Sequence, residues 1–321
     1  MIVATPVSID RCCSGYRTLD RQTPRLGANM SADPAILMDF HSDLAQLARE
    51  RLLTAGYQID LSEKPETTIM KFLNVAKHRI APKPRNVLIS KEFSCPPALQ
   101  AGVDEVLRKA ARGDDLSPHQ SSGYFDPDFN DPLLNDWDIH HFHLETRPHP
   151  RNGQLVRRTG SLLFARVADE VLYCINVFDH QSFAWQRMLG ILHRNWPESI
   201  ARFRANGIAG ETLTDSNILT LRRSNCNTIL AVEDGTAYFS PSGGCSSSRT
   251  SIIVMRECAR ARAYCRNMEK VVSNWLWDYV RQSVAEGKEI LRSYQFRLVL
   301  RNDSFVAIES QAHIAIKLPA L

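Results

Sequence analysis

Two apolar runs, Leu162 to Val167 and Val171 to Phe178, are separated only by Ala168, Asp169 and Glu170. Three residues cannot carry a crossover connection, so the runs must pair antiparallel as a hairpin, and the chain around them must complete a sheet. Ile139 to Glu145 alternates in the manner of a strand and supplies a further candidate. After the hairpin, a helix is expected from Phe183 to Arg194 with Trp185, Leu189 and Leu192 on one face, and Pro197 opens another short helix.

Upstream the pattern is helical. Asp33 and Pro34 form an N-cap and N1 pair ahead of a stripe of Leu37, Phe40, Leu44, Leu47 and Leu52 that Gly56 ends. A second helix is expected over Glu66 to His78, a strand over Val87 to Ser90, and a third helix over Pro97 to Arg112 with Gly113 as its stop. Asp114 to Asp136, rich in Asp, Pro, Ser, Gly and Asn, reads as a long loop. Beyond Gly207, Ile218 to Arg222 and Asn227 to Glu233 read as strands, with an Asp234-Gly235 turn returning into Thr236 to Ser240. A long helix from about Met255 to Ala285 and antiparallel strands Gln295 to Leu300, Phe305 to Glu309 and His313 to Leu318 close the chain.

The fold class expected is α+β, with N-terminal helices, a small central antiparallel sheet with a flanking helix, and a C-terminal mixed region carrying the long helix. A division into a disordered lead over 1–32, a helical and β-sheet domain over 33–204 and a C-terminal domain over 205–321 follows from these pattern changes. At 321 residues and 44% hydrophobic content the chain has enough apolar surface for such cores. Eight cysteines without a CxxC pair read as thiols of a reducing, cytoplasmic compartment. No apolar run approaches a membrane span, so no membrane partner is expected.

Chemistry concentrates in the centre. His140, His141 and His143 stand together, and on a strand His141 and His143 share one face while His140 takes the other. Arg147, Arg151, Arg157, Arg158 and Arg166 fall within twenty residues, and His180 follows Asp179 at the end of the hairpin. Imidazoles can act as acid and base, and guanidinium groups fork onto phosphate oxygens. Arg256, Arg260, Arg262 and Arg266 form a second basic set along the long helix.

The order of strand, basic loop, LLFARV strand, second hydrophobic strand and terminal His over residues 137–195 resembles the sheet of RelE/HigB-type bacterial toxins, small ribonucleases that cut messenger RNA. The resemblance implies RNA as partner, an antitoxin or other regulatory protein as a second partner, and no cofactor. On it, Arg157, Arg158 and Arg166 match basic strand positions and hold phosphate together with Arg147, while His141, His143 and His180 supply base and acid. Two other functions compete with this reading. One is a metal-dependent hydrolase with zinc on His141, His143 and Asp179, although no spaced ligand motif such as HExxH is present. The other is a non-enzymatic binding or regulatory module. The Gly243-Gly244 loop with its serines matches neither a phosphate-binding loop nor a nucleophile elbow.

Overall fold

The computed structural model describes residues 33–180, 182, 186–208, 210 and 213–321. Along the chain lie β1 (Ala35–Leu37), α1 (Phe40–Thr54), α2 (Pro65–His78), β2 (Asn86–Ile89), α3 (Gln100–Arg112), α4 (Pro132–Trp137), β3 (Ile139–His143), β4 (Ser161–Val167), β5 (Val171–Asp179) and α5 (Arg187–Asn195). They continue as α6 (Pro197–Ile200), α7 (Asp215–Arg223), β6 (Leu230–Ala231), β7 (Ala237–Tyr238), α8 (Ile252–Ala285), β8 (Ser293–Arg301), β9 (Ser304–Glu309) and β10 (Ile314–Lys317). The chain is therefore α+β. Among the described residues no helix is long and apolar enough to cross a membrane. Residues 1–32 and Trp185, for which the sequence raised expectations, lie outside the described residues.

Among the described residues, contacts divide the chain into two compact units, one made of residues 33–48 with 260–321, the other of residues 49–259. This differs from a division at residue 204, because the strands after α8 close with residues from the other end of the chain rather than with 205–259.

In the first unit the sheet runs β1-β8-β9-β10. The last three strands are antiparallel, as their pattern implies, and Asn302 and Asp303 both take the left-handed backbone (φ 47° and 58°) that a two-residue hairpin turn requires. One face of α8, with Cys265, Met268, Val272, Leu276 and Val280, packs with Phe40, Tyr294, Phe296 and Leu298 into this unit's core. Asp33-Pro34 does not open a helix. Ala35–Leu37 instead pairs parallel with Ser293–Gln295, and the cap of α1 is Asp39, whose carboxylate accepts from Ser42 N–H (3.0 Å) and Ser42 Oγ (2.6 Å). A sheet edge elsewhere in the chain overrides the local helix signal.

In the second unit the sheet runs β2-β5-β4-β3. The β4–β5 hairpin and the β3–β4 pair are antiparallel, but β2 joins β5 in parallel, which corrects the expectation of a wholly antiparallel sheet. The connection from β2 to β5 is long enough for a parallel return. One face of the sheet, with Ile139, Leu162, Phe164 and Phe178, packs on Met188, Leu189, Ile191, Leu192 and Ile200 of α5 and α6. The other, with Phe142, Leu163, Ala165, Leu172 and Cys174, packs on Val103, Val106 and Ala110 of α3. Both faces being covered, all five residues of β3 are buried.

Two further expectations are corrected here. Residues 218–222 form α7 rather than a strand, because Thr214 and Asn217 make a reciprocal capping box at its start. Residues 114–136 are not a structureless loop: they contain 3-10 turns at Ser117–His119 and Ser122–Phe125 and the helix α4.

Candidate functional site

The site is built where the end of α2, the segment ahead of α4 and strand β3 meet in the second unit. Asp131 is the N-cap of α4, its Oδ1 accepting from the N–H groups of Leu133 (3.0 Å) and Leu134 (3.1 Å). Its Oδ2 accepts from the hydroxyl of Tyr124 at 2.9 Å and lies 3.5 Å from His141 Nδ1. Burial raises the pKa of this carboxyl, but the electrostatic interaction with the His141 ring, the Leu134 N–H and the Tyr124 hydroxyl together hold it below the ordinary value. The Tyr124 ring stacks on His78 with centroids 4.7 Å apart.

Around this carboxylate the imidazoles are kept neutral. Burial pushes His140 down to about 3 and His78 and His143 down to about 4, and lowers His141 as well. Lys77 beside them is lowered to about 8 by burial, while its Nζ donates to Asn135 Oδ1 (2.6 Å) and Ser251 Oγ (2.9 Å).

The β3 register puts His141 opposite Phe164 and His143 opposite Leu162 on one face, and His140 opposite Ala165 on the other, as strand alternation requires. His143 Nδ1 accepts from Thr159 N–H at 3.1 Å, so the ring proton of neutral His143 sits on Nε2. His119 Nδ1 donates to the His143 carbonyl at 2.8 Å, which fixes the strand end in place.

His143 opens onto a cavity of about 110 Å³, lined also by Gln120, Ser122, His149, Asn152 and Arg158. Arg158 is exposed and donates to Ser122 Oγ. Besides burial, His141, Arg158, His180 and His119 each disfavour a charge on His143, so His143 lies within the electrostatic reach of these groups. His180 itself is exposed at the end of β5.

Of the residues expected from sequence, His143 and Arg158 line this cavity, whereas His141 and His180 do not line it and reach His143 only electrostatically. Nor does Arg166 line it: it is buried and paired with Asp138 Oδ2 at 3.2 Å, a carboxyl whose pKa burial raises despite that partner. Arg147 is exposed and paired with Glu145 at 2.5 Å, and Arg157, also exposed, reaches Arg147 only through its backbone N–H. Asp179 accepts from Ser161 Oγ at 2.8 Å across the hairpin. Among the described residues no three His, Cys, Asp or Glu side chains gather as a metal-ligand set, His141, His143 and Asp179 included.

Sequence reasoning missed Lys77, His78, Tyr124 and Asp131. The signal for Asp131 was present as an Asp-Pro pair ahead of a short apolar run, the N-cap and N1 signature of a helix. No protein-family model matches the chain, and no curated protein or solved structure gives a significant match.

Proposed function

We propose that the unit over residues 49–259 acts on RNA and cleaves a phosphodiester by metal-independent acid-base chemistry. The observation that carries this reading is the pocket in which His143, His149 and Arg158, from three positions along the chain, converge beside Ser122 and Gln120. A cation and neutral N–H donors around a small concavity suit the non-bridging oxygens of a phosphodiester.

In the proposed reaction Arg158 and the Nε2–H of His143 hold those oxygens. Exposed His180, with buried His141 in its electrostatic neighbourhood, takes the proton of the 2′-hydroxyl. The O2′–P bond forms as the P–O5′ bond breaks, and the leaving oxygen takes a proton from His149. The product ends are a 2′,3′-cyclic phosphate and a 5′-hydroxyl.

The test is incubation of the purified full-length protein with total RNA, with and without a chelator, followed by end analysis. Cleavage that survives chelation, leaves cyclic phosphate ends and falls by about 100-fold or more in His143→Ala is expected. Arg158→Ala is expected to weaken RNA binding. Chelator-sensitive cleavage would move the reading to a metal-dependent hydrolase, and binding without cleavage to a non-enzymatic module.

A further inference from the structure

Later in the same unit, the chain presents an aromatic surface made of none of the residues that line the pocket. Residues 203–205 pair antiparallel with 237–239: Arg204 stands opposite Tyr238, Phe239 N–H donates to the Phe203 carbonyl at 2.9 Å, and Ala205 N–H donates to the Ala237 carbonyl at 2.8 Å. That register sets Phe203 opposite Phe239. Tyr238 is 1% exposed and its hydroxyl hydrogen-bonds His193 Nδ1 at 2.8 Å, which pins this side chain inward. Its neighbour Phe239 therefore turns the other way, and it is 47% exposed. Phe203 is half-buried against the core of the same unit, and the Arg202 guanidinium lies 4.6 Å from its ring centroid. Arg202 and Arg204 are both exposed.

We infer that Phe239, with Phe203 and Arg202 beside it, is a base-stacking platform for single-stranded RNA, a contact that rests on the proposed action on RNA and adds to the phosphate pocket. The pocket, at about 110 Å³, is smaller than the roughly 150 Å³ that holds a benzene ring, so the bases of a strand held there by its phosphate stay outside it. They need a surface elsewhere. Every base has a π face, and an exposed aromatic ring receives it without reading the base edge. The two exposed cations on either side of Phe203 complement the phosphates of the same strand. Stacking of this kind distinguishes a base from no base, not one base from another.

The experiment is fluorescence anisotropy of the full-length protein with a labelled 2′-O-methyl oligouridine, whose blocked 2′ oxygen lets binding be read apart from cleavage. Phe239→Leu keeps the apolar bulk and removes the π face, whereas Phe239→Trp keeps both. Expected is a fall in affinity of about five- to hundredfold for Phe239→Leu, with Phe239→Trp close to wild type. On an oligomer of the same length whose sugars carry no bases, Phe239→Leu is expected to bind as wild type does. Arg202→Ala is expected to lower the slope of log affinity against log salt by about 0.7, the value for one phosphate contact on a single strand. Thermal melting checks that each variant is folded. Equal oligouridine affinity of Phe239→Leu and wild type overturns the inference, as does an equal loss on the strand without bases, or a wild type that does not bind oligouridine. Cleavage of total RNA is scored separately. Cleavage that depends on His143, with affinity indifferent to Phe239→Leu, removes the platform and leaves the reaction standing. The stacking pattern without cleavage removes the reaction and leaves the platform.

Discussion

Asp131 is 2% exposed and satisfies its charge with two backbone N–H groups and one phenol hydroxyl, so each of those donors offsets part of the cost of burying a carboxylate. Tyr124→Phe removes only the hydroxyl and retains the ring that stacks on His78. The expected cost is about 1–3 kcal/mol, the range for leaving a buried polar group short of a partner. Urea unfolding at neutral pH measures it, and a change within about 0.5 kcal/mol, as for an ordinary surface substitution, would mean that Oδ2 does not depend on Tyr124. At this scale the sequence was half legible. Strand alternation puts His141 and His143 on one face without any tertiary information. That Asp131 and Tyr124 complete the group was not legible, because hydrogen bonds between separate segments have no period to read.

The elements that the sequence revealed are those in which one local signal dominates. The helix α2, the β4–β5 hairpin, the long helix α8 and the three strands after it each combine apolar periodicity with a clear start or stop. α7 was misread because Ile218, Leu219 and Leu221 form a short apolar run that suits a strand as well as a helix, and only the Thr214/Asn217 cap separates the two. Gly102 shows how packing reverses a local preference. In a helix interior Gly costs about 1 kcal/mol relative to Ala. Yet a Cβ on Gly102 of α3 would stand 1.7 Å from the backbone oxygen of Leu144, the residue after β3. Gly102→Ala is therefore expected to destabilise by about 3 kcal/mol or more, since α3 must move off the strand end that carries His143. A thermal melt that matches or exceeds wild type would show that the helix can shift without cost.

Across the whole chain, the five histidines whose pKa burial lowers, His78, His119, His140, His141 and His143, all belong to residues 49–259. That distribution sets where acid acts. In the unfolded chain these groups titrate near 6.5; in the folded one His78 and His143 titrate near 4 and His140 near 3. Between those values the unfolded state binds more protons, so the stability they contribute is complete above about pH 6.5 and is lost as pH falls toward 4 and then 3. At pH 5 each of the three costs about 2 kcal/mol relative to neutral pH, from 1.36 kcal/mol per pKa unit. The loss falls on the unit that holds the rings, because each unit has its own core. Native-state hydrogen exchange, corrected for intrinsic rates, is therefore expected to lose more than about tenfold in protection on going from pH 7 to pH 5 in β3, β4 and β5, with a smaller change in β8, β9 and β10. Equal losses in the two sheets would mean that the buried imidazoles are not what couples this protein to pH. A gain in β3 to β5 would reverse the sign of the argument, because it requires the folded unit to take up the protons. The same measurement bears on the candidate site: an imidazole kept neutral down to about pH 4 holds His143 as an uncharged donor throughout the neutral range, so RNA binding through its Nε2–H is expected to persist until the fold itself gives way.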